Sequence, residues 1–113
     1  MVKIYHNPRC RKSRETLTLV SEKREDLVVQ EYLTVPITKD ELRAIVDLLE
    51  IKPFDLVRKN EVEYREKYKG KNLSDEEWLE AMILHPKLME RPIVLNEGKA
   101  AIGRPPENVL SIL

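Results

Sequence analysis

The sequence predicts an α/β fold: a mixed four-stranded sheet with a helical insertion between its second and third strands. Three observations carry this prediction. A short strand, an amphipathic helix and a second apolar strand follow one another within the first 33 residues. Two Ser/Thr-x-x-Glu helix starts fall in the middle third. The last third returns to short β-rich runs around Asn96-Glu97-Gly98 and closes with a proline-initiated helix.

Each element follows from local chemistry. Val2-Lys3-Ile4-Tyr5 reads as a strand with Val2 and Ile4 on one face. Pro8 cannot extend that strand and disfavours helix at Asn7, so His6 to Arg9 is a loop. From Arg11 to Val20 the spacing is helical, and Cys10, Ser13, Leu17 and Val20 form one stripe. Leu27 to Leu33 is the second strand. Its apolar start predicts an interior place in the sheet, parallel to the first strand through a right-handed crossover.

Residues of about 36–88 form the insertion. Thr38 and Glu41 make a capping box ahead of Leu42, Ile45, Val46 and Leu49. Pro53 opens a helical turn through Phe54 and Leu56, and Lys59 to Lys71 is a solvated loop or short helix. Ser74 and Glu77 make a second box ahead of Trp78, Leu79, Met82 and Ile83, and His85-Pro86 stops that helix. The stretch is too short for a core of its own, so it is expected to pack on the sheet within one domain spanning 1–113.

Pro92 to Leu95 then reads as a strand, Asn96 to Lys99 as a turn, and Ala100 to Ile102 as its hairpin partner. Gly103-Arg104-Pro105-Pro106 is a sharp loop leading into a helix with Val109, Leu110 and Leu113 inward. Two parallel strands with a crossover helix, then a hairpin and a helix, is the thioredoxin-like order.

Composition narrows the function. Lys+Arg and Asp+Glu number 20 each, so no bulk field attracts nucleic acid or an anionic lipid surface. No apolar run approaches the roughly 20 residues that span a bilayer. The N-terminus shows no signal-peptide pattern, and one cysteine cannot form an internal disulfide. A cytoplasmic location is therefore expected. One cysteine and two histidines give no zinc spacing, and three scattered glycines give no phosphate loop.

That cysteine, Cys10, sits where a strand ends and a helix begins. The unpaired N–H groups and the positive dipole end of the first turn favour its thiolate, the nucleophilic form. Lone cysteines are most often small buried hydrophobes. The junction and the flanking Arg9, Arg11 and Lys12 argue instead for a reactive sulfur with a depressed pKa. His6 is either a satisfied loop histidine or a group that hydrogen-bonds the thiolate or relays protons. Ser13 stands where a dithiol oxidoreductase carries its second cysteine, unless it is only a helix-surface residue. With no resolving thiol in the chain, an oxidised Cys10 needs an external one. Arg58, Arg91 and Arg104 each stand beside structural punctuation, and Arg91-Pro92 suggests a cis bond at Pro92. Spacing alone does not bring the three arginines to Cys10.

Tyr5 to Cys10 followed by Lys12 to Leu17 resembles the active-site signature of the glutaredoxin-coupled arsenate reductases. So do Leu56 to Asn60, His85 to Val94 and Gly103 to Glu107. The similarity covers essentially the whole chain, in family order, and is closest in kind to the short branch without a C-terminal extension. What the resemblance implies is a thioredoxin-like fold with Cys10 as nucleophile and His6 tuning its ionisation. Arg58, Arg91 and Arg104 would bind arsenate and its adduct, with Ser13 beside them and Pro92 as the cis proline. Glutathione would be co-substrate, glutaredoxin the partner, and no metal would be needed. Two alternatives remain at this stage. One is a related thiol reductase acting on another oxyanion or a glutathionylated substrate. The other is a non-catalytic, RNA polymerase-binding redox regulator, although Ser13 removes the Cys-x-x-Cys switch such a regulator would use.

Overall fold

The alternating valine and isoleucine of Val2–His6 make strand β1, the second strand of a sheet ordered β2-β1-β3-β4. A computed structural model describes all of Met1–Leu113. Strand β2 (Leu27–Glu31) runs parallel to β1 with Val2 opposite Leu27 and His6 opposite Glu31. Strand β3 (Ile93–Asn96) is antiparallel to β1, and β4 (Lys99–Ile102) is antiparallel to β3. The β3–β4 connection is the two residues Glu97 and Gly98, both at positive φ (47° and 75°), the geometry of a type I′ hairpin.

The mixed sheet and its element order make the fold thioredoxin-like, as the sequence predicts. The chain divides into two compact units. The first, Met1–Val35 with Arg91–Leu113, holds the sheet, helix α1 (Arg11–Lys23) and a closing segment, Pro106–Ile112, in 3-10 form. Its core is Val2, Ile4, Val20, Val94 and Val109, with Leu17, Leu19, Leu27, Ile112 and Leu113 packed against it.

The second unit, Pro36–Glu90, holds helices α2 (Lys39–Leu49) and α3 (Asp75–Leu84), both opened by complete capping boxes, Thr38/Glu41 and Ser74/Glu77. Lys39 and Arg43 of α2 reach Glu76 of α3 at 2.8 Å. A 3-10 turn spans Pro53–Leu56 and a π-helical turn spans Tyr64–Tyr68. Phe54, Tyr64 and Tyr68 gather on Trp78 at ring distances of 5.0, 6.3 and 5.8 Å. No helix is long and apolar enough to cross a membrane.

Three local expectations need correction. Strand β2 is an edge strand, not an interior one, and Val28 and Val29 are 41% and 43% exposed. An apolar run reports burial only where neighbours exist on both sides, and here β1 is its only one. On α1 the fully buried residue after Ser13 is Thr16, while Leu17 is only partly covered. In the closing segment Leu110 faces out at 41% exposure.

Candidate active site

The Cys10 side chain stands at the N-cap of α1, with extended backbone (φ −94°, ψ 122°). The preceding turn is fixed by its own polar groups. The Cys10 N–H donates to the Asn7 carbonyl at 3.0 Å, and the Arg9 N–H donates to Asn7 Oδ1 at 3.0 Å. Pro8 and Arg9 are exposed around a sulfur-bearing residue that is itself 9% exposed.

The start of α1 differs from those of α2 and α3. Those two carry full capping boxes and acidic residues in their first turns. The first turn of α1 has no acidic residue, and Cys10 makes no conventional capping hydrogen bond. No acidic or hydroxyl side chain therefore competes with the sulfur for its leading N–H groups and positive dipole end.

Two guanidiniums join the sulfur from the distant end of the sequence. Arg104 Nη2 lies 3.4 Å from Cys10 Sγ, while Arg104 Nε donates to the Arg91 carbonyl at 2.8 Å. Arg91 also hydrogen-bonds the sulfur and lends it positive charge. Burial pushes the Cys10 thiol up. The Ser13 backbone N–H, the Arg91 hydrogen bond, and the charges of Arg91 and Arg104 outweigh it, and the net result lies below the ordinary thiol value. Although the Ser13 N–H falls short of a full cap, its dipole at close range still favours the anion.

The loop carrying Arg104 is locked to the Arg91 loop. The Gly103 N–H donates to the Pro92 carbonyl at 2.9 Å, and Asn108 Nδ2 donates to the Arg104 carbonyl at 2.9 Å. The Arg91–Pro92 and Arg104–Pro105 peptides are both cis. Gly103 has no room for a side chain, because a Cβ there would meet Thr16 Oγ1 at 2.5 Å and Pro92 Cγ at 2.8 Å.

His6 and Ser13 take places that spacing did not reveal. His6 Nδ1 is 2.7 Å from Ser13 Oγ, and the Asn7 N–H donates to the same oxygen at 3.0 Å. His6 makes no hydrogen bond to Cys10, so it reaches the sulfur's surroundings only through Ser13. Burial lowers the His6 pKa, with Glu31 opposing and Arg14 assisting, so the ring is neutral near pH 7. Ser13 is fully buried, not a helix-surface residue.

Arg58 belongs to the second unit. It follows the β-bridge between Val57 and Met89, and its N–H donates to the Leu88 carbonyl at 2.6 Å. Its side chain is 19% exposed, with Nη1 3.7 Å from Glu61 Oε2 and without a hydrogen bond. Thr16 and Gly103 are the structural partners the sequence reading missed. The available signal was the glycine immediately before Arg104.

A profile described as the ArsC family matches residues 5–112. YfgD of Escherichia coli K12, described as uncharacterized, is 48% identical over 114 residues, covering 99% of this chain and 96% of its own. The arsenate reductase of Haemophilus influenzae is 45% identical over 115 residues, covering 97% of each chain. The solved arsenate reductase from Vibrio cholerae matches with a TM-score of 0.94 at 44% identity, over 99% of this chain and 97% of that one. A YFFB (PA3664) protein matches at 0.85 with 17% identity, a likeness of fold alone.

Proposed function

The chain belongs to the ArsC family, and we propose that it is a thiol-dependent arsenate reductase in which Cys10 attacks the arsenic atom. The observation that carries this reading is the sulfur itself. It stands at the N-cap of a helix that has no side-chain capping hydrogen bond, has Arg104 at 3.4 Å and Arg91 beside it, and is the only cysteine in the chain.

Electrostatics explains why such chemistry needs that setting. Arsenate near neutrality is largely a dianion and the nucleophile is an anion. At about 4 Å and an effective dielectric of ~20 the pair repels by roughly 8 kcal/mol. At about 1.4 kcal/mol per factor of ten, that barrier alone would stop the reaction. Guanidiniums stay charged at any relevant pH and fork onto two oxygens, so they offset the repulsion and stabilise the departing oxygen. Arg58, which the resemblance also offers as an anion ligand, lies in the second compact unit, so this reading rests on Arg91 and Arg104.

In this mechanism Cys10 displaces one oxygen from arsenic and forms a sulfur–arsenic bond. Glutathione then attacks the adduct. The two sulfurs give up two electrons and end as a Cys10–glutathione disulfide, while arsenic passes from the five-valent to the three-valent state and leaves as arsenite. Glutaredoxin takes the glutathione from that disulfide and restores the thiol. The absence of a second cysteine favours an external resolving thiol.

The test is steady-state arsenate reduction with glutathione and glutaredoxin, omitting each in turn. Turnover should require both and vanish in Cys10→Ser. Full turnover by Cys10→Ser would overturn the mechanism. Background turnover by the intact protein would favour another oxyanion or a glutathionylated substrate.

A further inference from the structure

We propose that Thr16 is a positioning residue: its side chain, wedged between helix α1 and Gly103, sets how far the Arg104 guanidinium stands from the Cys10 sulfur. The inference rests on the reading of Cys10 as the nucleophile, but not on the identity of the substrate.

Thr16 is fully buried on the face of α1 that also carries Ser13 and Val20. Its hydroxyl donates to the Lys12 carbonyl at 2.8 Å, and the Gly103 carbonyl lies 3.4 Å from the same oxygen. One proton shared between two acceptors ties the helix backbone to the loop that ends in Arg104. The packing is equally tight. A Cβ on Gly103 would meet both outer atoms of Thr16, Oγ1 at 2.5 Å and Cγ2 at 2.9 Å, as well as Pro92 Cγ at 2.8 Å. The main chain at 103 is therefore held between the threonine and the proline ring. The next residue contributes the guanidinium at 3.4 Å from the sulfur.

The Thr16 hydroxyl hydrogen-bonds the Lys12 and Gly103 carbonyls and not the sulfur. A swelling of a few tenths of an ångström at the 16–103 contact would be carried along one peptide unit to Arg104. The coupling is steep, because the charge–sulfur contact is short and part-buried. The other groups acting on the sulfur are Arg91 and the Ser13 N–H. The Ser13 N–H belongs to α1 itself, whereas the Arg91 loop is joined to Gly103 through the Gly103 N–H to Pro92 carbonyl hydrogen bond and shares in any displacement there.

Thr18 supplies an internal control. It sits on the same helix and makes the same type of back bond, Oγ1 to the Arg14 carbonyl at 3.1 Å, but it is exposed. Thr16→Val keeps the shape and removes the hydroxyl, Thr16→Ser keeps the hydroxyl, and Gly103→Ala fills the contact from the other side. The chain has one cysteine, so thiolate absorbance and alkylation by neutral iodoacetamide report Cys10 alone. Thr16→Val and Gly103→Ala should each raise the Cys10 pKa by about half a unit or more, a threefold or greater loss of thiolate at fixed acidic pH. Thr16→Ser and Thr18→Val should stay at the wild-type value. Circular dichroism and thermal melting identify variants that have lost the fold. If Thr16→Val does not fold, the decision passes to Gly103→Ala in comparison with Thr16→Ser. A folded Thr16→Val or Gly103→Ala that titrates like wild type would overturn the assignment, whatever arsenate assays show.

Discussion

Arg104 Nη2 lies 3.4 Å from Cys10 Sγ although 94 positions separate the two residues in the chain. Arg104 Nε is simultaneously bound to the Arg91 carbonyl, so the guanidinium is held at two points and cannot swing away without breaking a 2.8 Å hydrogen bond. Replacing it by Gln or Met removes a permanent charge from beside a sulfur whose burial already disfavours the anion. The Cys10 pKa should rise by about one unit, and alkylation at constant pH below that pKa should slow about tenfold. Arg104→Lys should recover only part of the loss, because an ammonium offers no planar fork. A pH profile of iodoacetamide reactivity reads both effects. Superimposable profiles for wild type and Arg104→Gln would remove Arg104 from the site.

The parts of this arrangement that the sequence reveals are the parts set locally. Thr38/Glu41 and Ser74/Glu77 close their boxes within three residues, and Asn-Glu-Gly needs only its own backbone to turn. What the sequence does not reveal depends on neighbours far along the chain. The apolar start of β2 implies cover on both sides, but β2 lies at the sheet edge. Thr16 is passed over on an apolar stripe because it is polar, although its hydroxyl is satisfied within its own helix. Leu110 is misassigned because the closing segment winds in 3-10 form, at about three residues per turn. Pro106, Val109 and Ile112 then share the inner face, and position 110 turns outward. The approach of Arg91 and Arg104 to Cys10 comes from the hairpin returning beside β1, which no local spacing encodes.

Ser13 is the partner of two buried groups, His6 Nδ1 and the Asn7 N–H. Ser13→Ala would leave both without it in a region where His6 and Asn7 are nearly inaccessible to water. The expected loss is about 2 kcal/mol, reduced by roughly 0.5 kcal/mol because alanine is the better helix former. Urea denaturation should therefore show a lower midpoint with an unchanged slope. A variant as stable as wild type would mean that water replaces the serine oxygen at no cost.

Two residues other than glycine hold left-handed backbone: Glu50 at the C-cap of α2 (φ 58°, ψ 40°) and Glu97 at the first turn position of the hairpin (φ 47°). Both are exposed, so the strain is not offset by burial. Glu50→Gly and Glu97→Asn should each stabilise the protein, by up to about 1 kcal/mol. Gly98→Ala should do the opposite by a similar amount, even though nothing lies within 4 Å of a Cβ there, because its φ is +75°. Thermal melts of the three variants check the signs. A destabilised Glu50→Gly would show that its carboxylate contributes more than its backbone costs.

The depressed Cys10 pKa also has a thermodynamic signature. A thiol that ionises more readily in the folded than in the unfolded chain contributes stability that is fully present above the unfolded value. That contribution is lost as pH falls through the folded value. The ordinary thiol value is 9.0 and the folded one lies below it. The stability of wild type relative to Cys10→Ser should therefore be flat in acid, rise with pH through the folded pKa, and level off above about pH 9. His6 is depressed from 6.5, so its contribution is present above that value and disappears on the acid side. The Cys10 window ends at the ordinary thiol value of 9.0 and the His6 window at 6.5, and His6 is common to both proteins in the comparison, so its contribution cancels there. Urea midpoints measured from about pH 5 to about pH 10 provide the curve. A difference that stayed level throughout would mean that the folded site gives the thiolate no advantage over the unfolded chain.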